Sequence, residues 1–291
     1  MADAAEVGFR FSFGSEQEFY LFLLDEKGKK TRIPSDAAGY MDIAPDDKGE
    51  NVRREVCLTL EKMGIHPESS HHEEGPGQNE IDFRYSDALD AADNAQMFQR
   101  VVKTVAHQNG LFADFSPKPL KNKPGNGFHI NISVNPFDEN NNFQYMLAGL
   151  ISHIKPMTLF LNPTKDSYKR LGQHKAPGYI SWSAENRSQL IRIPAATGEY
   201  RRAELRSPDP CSNPYLAFAL MIWAGLDGIK NRLTLPDAAN INLYKAPMSV
   251  LSKFRPLPKN YREACAAAVG DEFIKQHVPS EILEIYASQR S

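Results

Sequence analysis

His71-His72-Glu73-Glu74-Gly75-Pro76-Gly77-Gln78-Asn79-Glu80-Ile81-Asp82-Phe83-Arg84-Tyr85 sets carboxylates on both sides of a Gly-Pro-Gly turn. With Pro76 and Gly77 as the two central residues, the spacing predicts a β-hairpin in which Gly75 faces Gln78, Glu74 faces Asn79 and Glu73 faces Glu80. Like charges directly opposed on one face of a sheet repel. A chain that builds such a pair has something positive to place between the two groups, and a divalent cation is the natural candidate. His71 and His72 read as hydrogen-bonded strand residues rather than ligands.

The same two-residue alternation recurs along the chain. Residues 9–13 and 16–24 read as two strands around Gly14-Ser15, the second with Glu16, Glu18, Tyr20 and Phe22 on one face. Residues 128–134 form the clearest strand, with His129, Asn131 and Ser133 opposite an apolar face, and residues 202–206 alternate Arg202, Glu204 and Arg206 in the same way. Residues 51–63 and 87–109 carry apolar side chains at helical spacing, the second run stopped by Gly110. Asn213 caps and Pro214 starts a further apolar helix through Ile229. Strands and helices mix without a βαβ rhythm, which predicts a single α+β domain over residues 1–291. Its curved, largely antiparallel sheet is expected to carry helices on one face and a polar site on the other.

Composition narrows the partners. A net charge of -2 with no basic block argues against nucleic acid, and no apolar run approaches the roughly 20 residues of a membrane helix. Cys57, Cys211 and Cys265 lack paired spacing, and residues 1–7 lack a signal peptide's basic and apolar regions, so the expected address is the cytoplasm. The site face would collect Glu16, Glu18, Glu73, Glu80, His129 and Glu204 with Arg202 and Arg206. So many charges cannot be buried unpaired. Oxygen-rich donors with one imidazole suit Mg²⁺ or Mn²⁺, and the arginines beside them suit a phosphate-bearing substrate.

These residues fall in motifs that resemble the catalytic domain of glutamine synthetase. The motifs are Gly14-Ser15-Glu16-Gln17-Glu18-Phe19, the stretch from His71 to Tyr85, Pro117-Lys118-Pro119, Gly125-Asn126-Gly127-Phe128-His129, Ser167-Tyr168-Lys169-Arg170-Leu171, Asn186-Arg187-Ser188, Ile191-Arg192-Ile193-Pro194 and Glu204-Leu205-Arg206-Ser207-Pro208. They run in order over roughly residues 8–232. The resemblance implies ATP-dependent joining of ammonia to the side-chain carboxylate of glutamate through a γ-glutamyl phosphate. It implies one metal site of Glu18, Glu73 and Glu80 and another of Glu16, His129 and Glu204. Arg187, Arg192 and Arg202 match positions that neutralise phosphates, Arg170 and Arg206 positions that hold the glutamate carboxylates, and Gly125 a backbone contact to its amine. Tyr85 falls where the family sets a ring near adenine, and Ser133 on the nucleotide side.

Three departures accompany the match. The family's smaller N-terminal domain, which completes a neighbour's site in a stacked ring, is not recognised in residues 1–291, and the chain stops short of the family's C-terminal segment. The fragment alone is therefore expected to be nearly inactive. Lys175 stands where the family has a flap glutamate that takes a proton from ammonium, a task closed to a charged lysine unless another acid such as Glu185 serves. Pro124 and Asn131 replace a family asparagine and histidine. The resemblance thus points to ammonia, or to another amine, as the second substrate.

Overall fold

One long strand organises the sheet. In the computed structural model, which describes all residues except 137–140, 185, 196–200 and 289–291, helix α1 (Ala2–Glu6) leads into β1 (Arg10–Leu24). The expected break at Gly14-Ser15 does not occur. β1 pairs without interruption along β6 (Phe128–Asn135), and the irregularity is taken up on its other side, where β4 (Gln78–Asp87) carries an extra residue between Phe83 and Ser86. A bulge on the neighbour lets β1 continue through the glycine. The remaining strands are β2 (Lys30–Pro34), β3 (Pro67–His72), β5 (Leu111–Asp114), β7 (Trp182–Ala184), β8 (Ile191–Ile193) and β9 (Ala203–Leu205). Their order is β3-β4-β1-β6-β9-β8-β7, with β2 and β5 along the end of β1. Among the described strands only β7 and β8 pair in parallel, so the α+β reading holds.

The helices follow from the apolar spacing and from caps. Helix α2 is Glu50–Lys62 and α3 is Ala88–Gln108. The Asp87 carboxylate accepts from the backbone N–H of Leu89 and Asp90 at the start of α3, a cap contributing about 1 kcal/mol. α3 then buries Ala91, Ala95, Phe98, Val102 and Val105. Helix α4 (Asn142–Leu161) is buried on almost every side, and α5 (Ser167–Arg170) is one turn. Helix α6 (Pro214–Asn231) starts as the sequence predicts, with Asn213 accepting from Tyr215 and Leu216 N–H. Shorter helices α7 (Met248–Leu251), α8 (Tyr261–Val269), α9 (Glu272–His277) and α10 (Ser280–Ser288) complete the described chain.

Phe11, Phe13, Phe19 and Leu21 of β1 and Phe128, Ile130 and Ile132 around β6 join α3, α4 and α6 in one apolar core. Phe13 stacks on Phe218 of α6 at 4.5 Å. Each such side chain contributes about 1.5 to 3 kcal/mol by leaving water, enough to fix the helices to this face. The opposite face is thereby left for polar groups.

Candidate active site

Strand register assembles the site. Across β1, Glu16 lies directly opposite Asp82 of β4 and His129 of β6, and Glu18 lies opposite Glu80. Farther along, Asn131 faces Glu204, and Glu204 faces Arg192. Directly opposed residues share a face, so the alternating acids of β1, β4 and β9 converge with His129 of β6 on the side away from the core.

The hairpin differs from its expected register. The turn forms at Pro76-Gly77, with Gln78 N–H donating to the Gly75 carbonyl at 2.9 Å and Gly77 at φ 69°, as a type II turn requires. The strands then pair with Glu73 against Gln78 and His71 against Glu80, so the loop is two residues longer than predicted and Glu73 does not face Glu80 directly. The two acids remain on one face, with His71 between them: its Nε2 is 3.2 Å from Glu73 Oε1 and 3.6 Å from Glu80 Oε1.

A cavity of about 380 Å³ collects Glu16, Glu18, Glu73, Glu80, His129 and Glu204 with Gly125, Arg170, Lys175, Arg187, Arg192 and Arg206. A second cavity, of about 590 Å³, shares Glu16 and Asp82 with it and takes in Tyr85, Ser133 and Arg202. The acids form the wall between the two. A Cβ at Gly125 would run into the Pro117 carbonyl oxygen and press on the Arg170 side chain at 3.0 Å, so both can lie against the glycine backbone. Arg170 donates to the Ser207 carbonyl at 2.8 Å, and Arg206 is paired to Glu204. Glu204 also accepts from Arg192 at 2.8 Å.

The electrostatics are those of a site without enough positive charge. Burial, then repulsion from Glu73, pushes the Glu18 carboxyl up to about 7, and burial with Glu16 does the same to Asp82. Glu80 is raised well above its ordinary value by burial and by Asp82 and Glu18. Glu73 goes the other way: burial would raise it, but the bond from His71 and the charge of Lys175 outweigh that and lower it. Burial and Arg206 hold His129 well below the usual imidazole range, so it is neutral and free to act as a ligand. Among the described residues that line this cavity, donor atoms lie within 4.8 Å of one another in Glu16, Glu80 and His129, and in His71, Glu73 and Glu80. Glu204 Oε1 is 3.6 Å from His129 Nδ1. Glu18 accepts from Gly127 N–H at 2.7 Å and from Gln78 at 3.2 Å. Buried carboxylates with raised pKa beside a neutral imidazole fit a hard divalent cation, which would relieve the repulsion that raises them.

Three residues beyond the sequence reading belong here. His71 and Asp82 had a signal, being two residues from Glu73 and Glu80 on the same strand faces. Asp82 Oδ1 is buried without a hydrogen-bond partner, while its other oxygen accepts from Ser69. Tyr40 comes from a loop with no periodic signal; its ring meets His71 edge-on and its hydroxyl accepts from Arg187 at 3.3 Å. Lys175, at φ 66°, extends its Nζ to 3.0 Å from Glu74 Oε1 and 4.4 Å from the centre of the Tyr40 ring. Glu185 lies outside the described residues.

Fold and site together define an α+β domain whose largely antiparallel sheet carries a cavity lined by acids, a histidine and arginines. The family model for the glutamine synthetase catalytic domain matches residues 1–291. Glutamine synthetase of Clostridium saccharobutylicum is 44% identical over 306 residues, covering 100% of this chain and 69% of its own length. That of Methanosarcina mazei is 42% identical, covering 98% of this chain and 67% of its own. A solved GmaS/ADP complex superposes with a TM-score of 0.87 at 32% identity, and GmaS without ligand with 0.84, each covering 98% of this chain and 69% of the other. The chain belongs to the glutamine synthetase family, ligases of glutamine biosynthesis that use ATP and divalent metal. Among the described residues no helix is long and apolar enough to cross a membrane.

Proposed function

We propose that this domain activates the side-chain carboxylate of glutamate with ATP and passes it to an amine. The observation that carries the reading is the convergence of seven acids, the imidazole of His129 and four arginines on one cavity that shares its acidic wall with a second. A carboxylate is a poor electrophile until one oxygen becomes a leaving group. In the first step a glutamate side-chain oxygen attacks the terminal phosphorus of ATP and ADP departs. In the second the amine nitrogen attacks the acyl carbon, phosphate leaves with the C–O electron pair, and the nitrogen sheds a proton.

In this reading Arg170 and Arg206 fix the glutamate carboxylates and the Gly125 carbonyl accepts from its ammonium group. Arg187, Arg192 and Arg202 neutralise the phosphates, and Tyr85 and Ser133 line the nucleotide side. Glu18, Glu73 and Glu80, and Glu16, His129 and Glu204, would hold divalent ions, with His71 beside the first set; bound there, the ions supply positive charge to the phosphates. A ring in which a neighbouring subunit completes the site belongs to the same proposal.

The pairing of Lys175 with Glu74 over Tyr40 favours a second reading, in which the nucleophile is an amine other than ammonia, because no proton acceptor stands at the expected flap position. The experiment is glutamate-dependent phosphate release from ATP by the full-length gene product, with ammonia and then a panel of amines. Release with ammonia supports the first reading, and release only with another amine the second. Nucleotide binding without turnover on any amine would make the protein a non-catalytic ATP- and metal-binding relative.

A further inference from the structure

Behind the acid-bearing hairpin lies a second set of buried charges. His72 is fully buried on the face opposite Glu73, with Nδ1 2.6 Å from the Glu73 carbonyl oxygen and Nε2 3.0 Å from Asp36 Oδ1. Both neighbours are acceptors, so the ring carries a proton on each nitrogen and sits as a cation between them. Asp36 also accepts from the backbone N–H of Gly77, at 2.8 Å, and of Lys48, at 3.2 Å. It therefore holds the turn from both sides: residue 73 through the imidazole, and residue 77 directly. Next to it Asp47 takes an ion pair from Arg53 at 2.6 Å, and Arg53 reaches Asn79 Oδ1 at 2.5 Å.

Donor atoms of Asp36, Asp47 and His72 lie within 4.8 Å of one another, a spacing that would also suit an ion. Arg53 and His72 already supply the positive charge, and backbone N–H groups take further oxygens, so the cluster is structural in its own right. Its consequence is for the front of the hairpin. Glu73 is the last residue paired across the hairpin, and its carboxylate faces the cavity while its carbonyl is held from behind. A ligand carboxylate must be placed to within about 0.5 Å, which the turn alone does not ensure.

We propose that Asp36, acting through His72, is a positioning residue for the Glu73 carboxylate. The inference rests on the reading of Glu73 as a divalent-ion ligand. The test is Mn²⁺ binding by titration calorimetry to the full-length protein and three variants, with thermal unfolding recorded for each. Glu73→Gln should abolish one Mn²⁺ site, and Asp36→Asn should weaken that same site by about 10- to 100-fold. Asp47→Asn disturbs the same loop but leaves the bonds of His72 to Asp36 and Glu73, and it should keep Mn²⁺ affinity within about twofold of the parent even where its unfolding temperature falls. Parental affinity in folded Asp36→Asn, or an equal loss in Asp47→Asn, would overturn the positioning role. Parental binding by Glu73→Gln would remove the underlying reading and the proposal with it. Should Asp36→Asn not fold, His72→Gln is titrated in its place against the same two outcomes.

Discussion

On the back of the β3–β4 hairpin, buried charges have partners within the protein: Asp47 has Arg53, and Asp36 has His72 and three backbone N–H groups. On the front, Glu18, Glu80 and Asp82 face a cavity and one another, and burial raises all three carboxyls. The hairpin thus separates acids of two kinds, loop carboxylates behind it and sheet carboxylates in front. Paired acids lock a turn. Acids left to repel one another cost stability, and a fold retains that cost where a ligand supplies the missing charge.

The comparison breaks most plainly by removing one cation from the back. Arg53→Met leaves Asp47 buried and unpaired and Asn79 without its donor, and should cost roughly 3 to 5 kcal/mol. Urea unfolding measures it. Glu80→Gln on the front should instead stabilise the metal-free protein while lowering its affinity for Mg²⁺. A loss from Glu80→Gln as large as that from Arg53→Met would erase the distinction between the faces.

Next in size is Arg192→Ala. Arg192 donates to Glu204 and keeps a buried Nε without a partner. If it meets a phosphate, its removal should cost phosphoryl transfer about 2 to 4 kcal/mol. Unchanged turnover and unchanged nucleotide affinity would reduce it to a partner of Glu204.

The front acids also set a pH dependence. Glu18 and Asp82 are pushed up to about 7 in the folded chain from ordinary values of 4.5 and 3.8. Between those values and 7 the folded state keeps protons that the unfolded state releases, so stability falls as pH rises through this window and levels off above it. Glu73, which is lowered, acts in the opposite sense and only at lower pH. Unfolding temperatures in chelator should therefore drop from pH 5 to pH 8. A fixed Mg²⁺ concentration, a hundredfold its Kd at pH 8, should restore about 2.7 kcal/mol there and less at pH 5, where protons compete for the same carboxylates. Equal gains at both pH values would mean that the ion does not meet these acids.

How far the sequence could be read follows the same division. The front face was legible because alternation with a period of two places Glu16, Glu18, His129 and Glu204 on one side without knowledge of the pairing. The hairpin register was not, because Pro76-Gly77 defines the turn but not how many residues flank it before the ladder begins. Gly14 looked like a break because the bulge that accommodates it lies in another strand. Helix α4 gives no period at all, since both its faces are buried. Asp36 and Tyr40 sit in a loop whose position depends on contacts with His71, His72, Gly77, Lys175 and Arg187, none of them local.

The smallest expected stability effect lies at Lys175, the lysine that the structure pairs on the front. Its partner Glu74 and the lysine itself are each about one-third exposed. Such a pair contributes about 0 to 1 kcal/mol, so Lys175→Met should barely move the unfolding curve. Its effect on chemistry should be larger than its effect on folding. A charged lysine repels ammonium and cannot take its proton, whereas a carboxylate at the same place does both jobs. Lys175→Glu in the full-length protein should raise ammonia-dependent turnover, and Lys175→Met should not, because neutralising the charge supplies no base. The new carboxylate would also crowd Glu73 and Glu74, so the gain should be clearest at saturating Mg²⁺. Glutamine formation by the parent at ordinary enzymatic rates, about 1 to 10³ s⁻¹, with no gain from Lys175→Glu, would show that the proton leaves by another route and that the flap cation plays no part in choosing the amine.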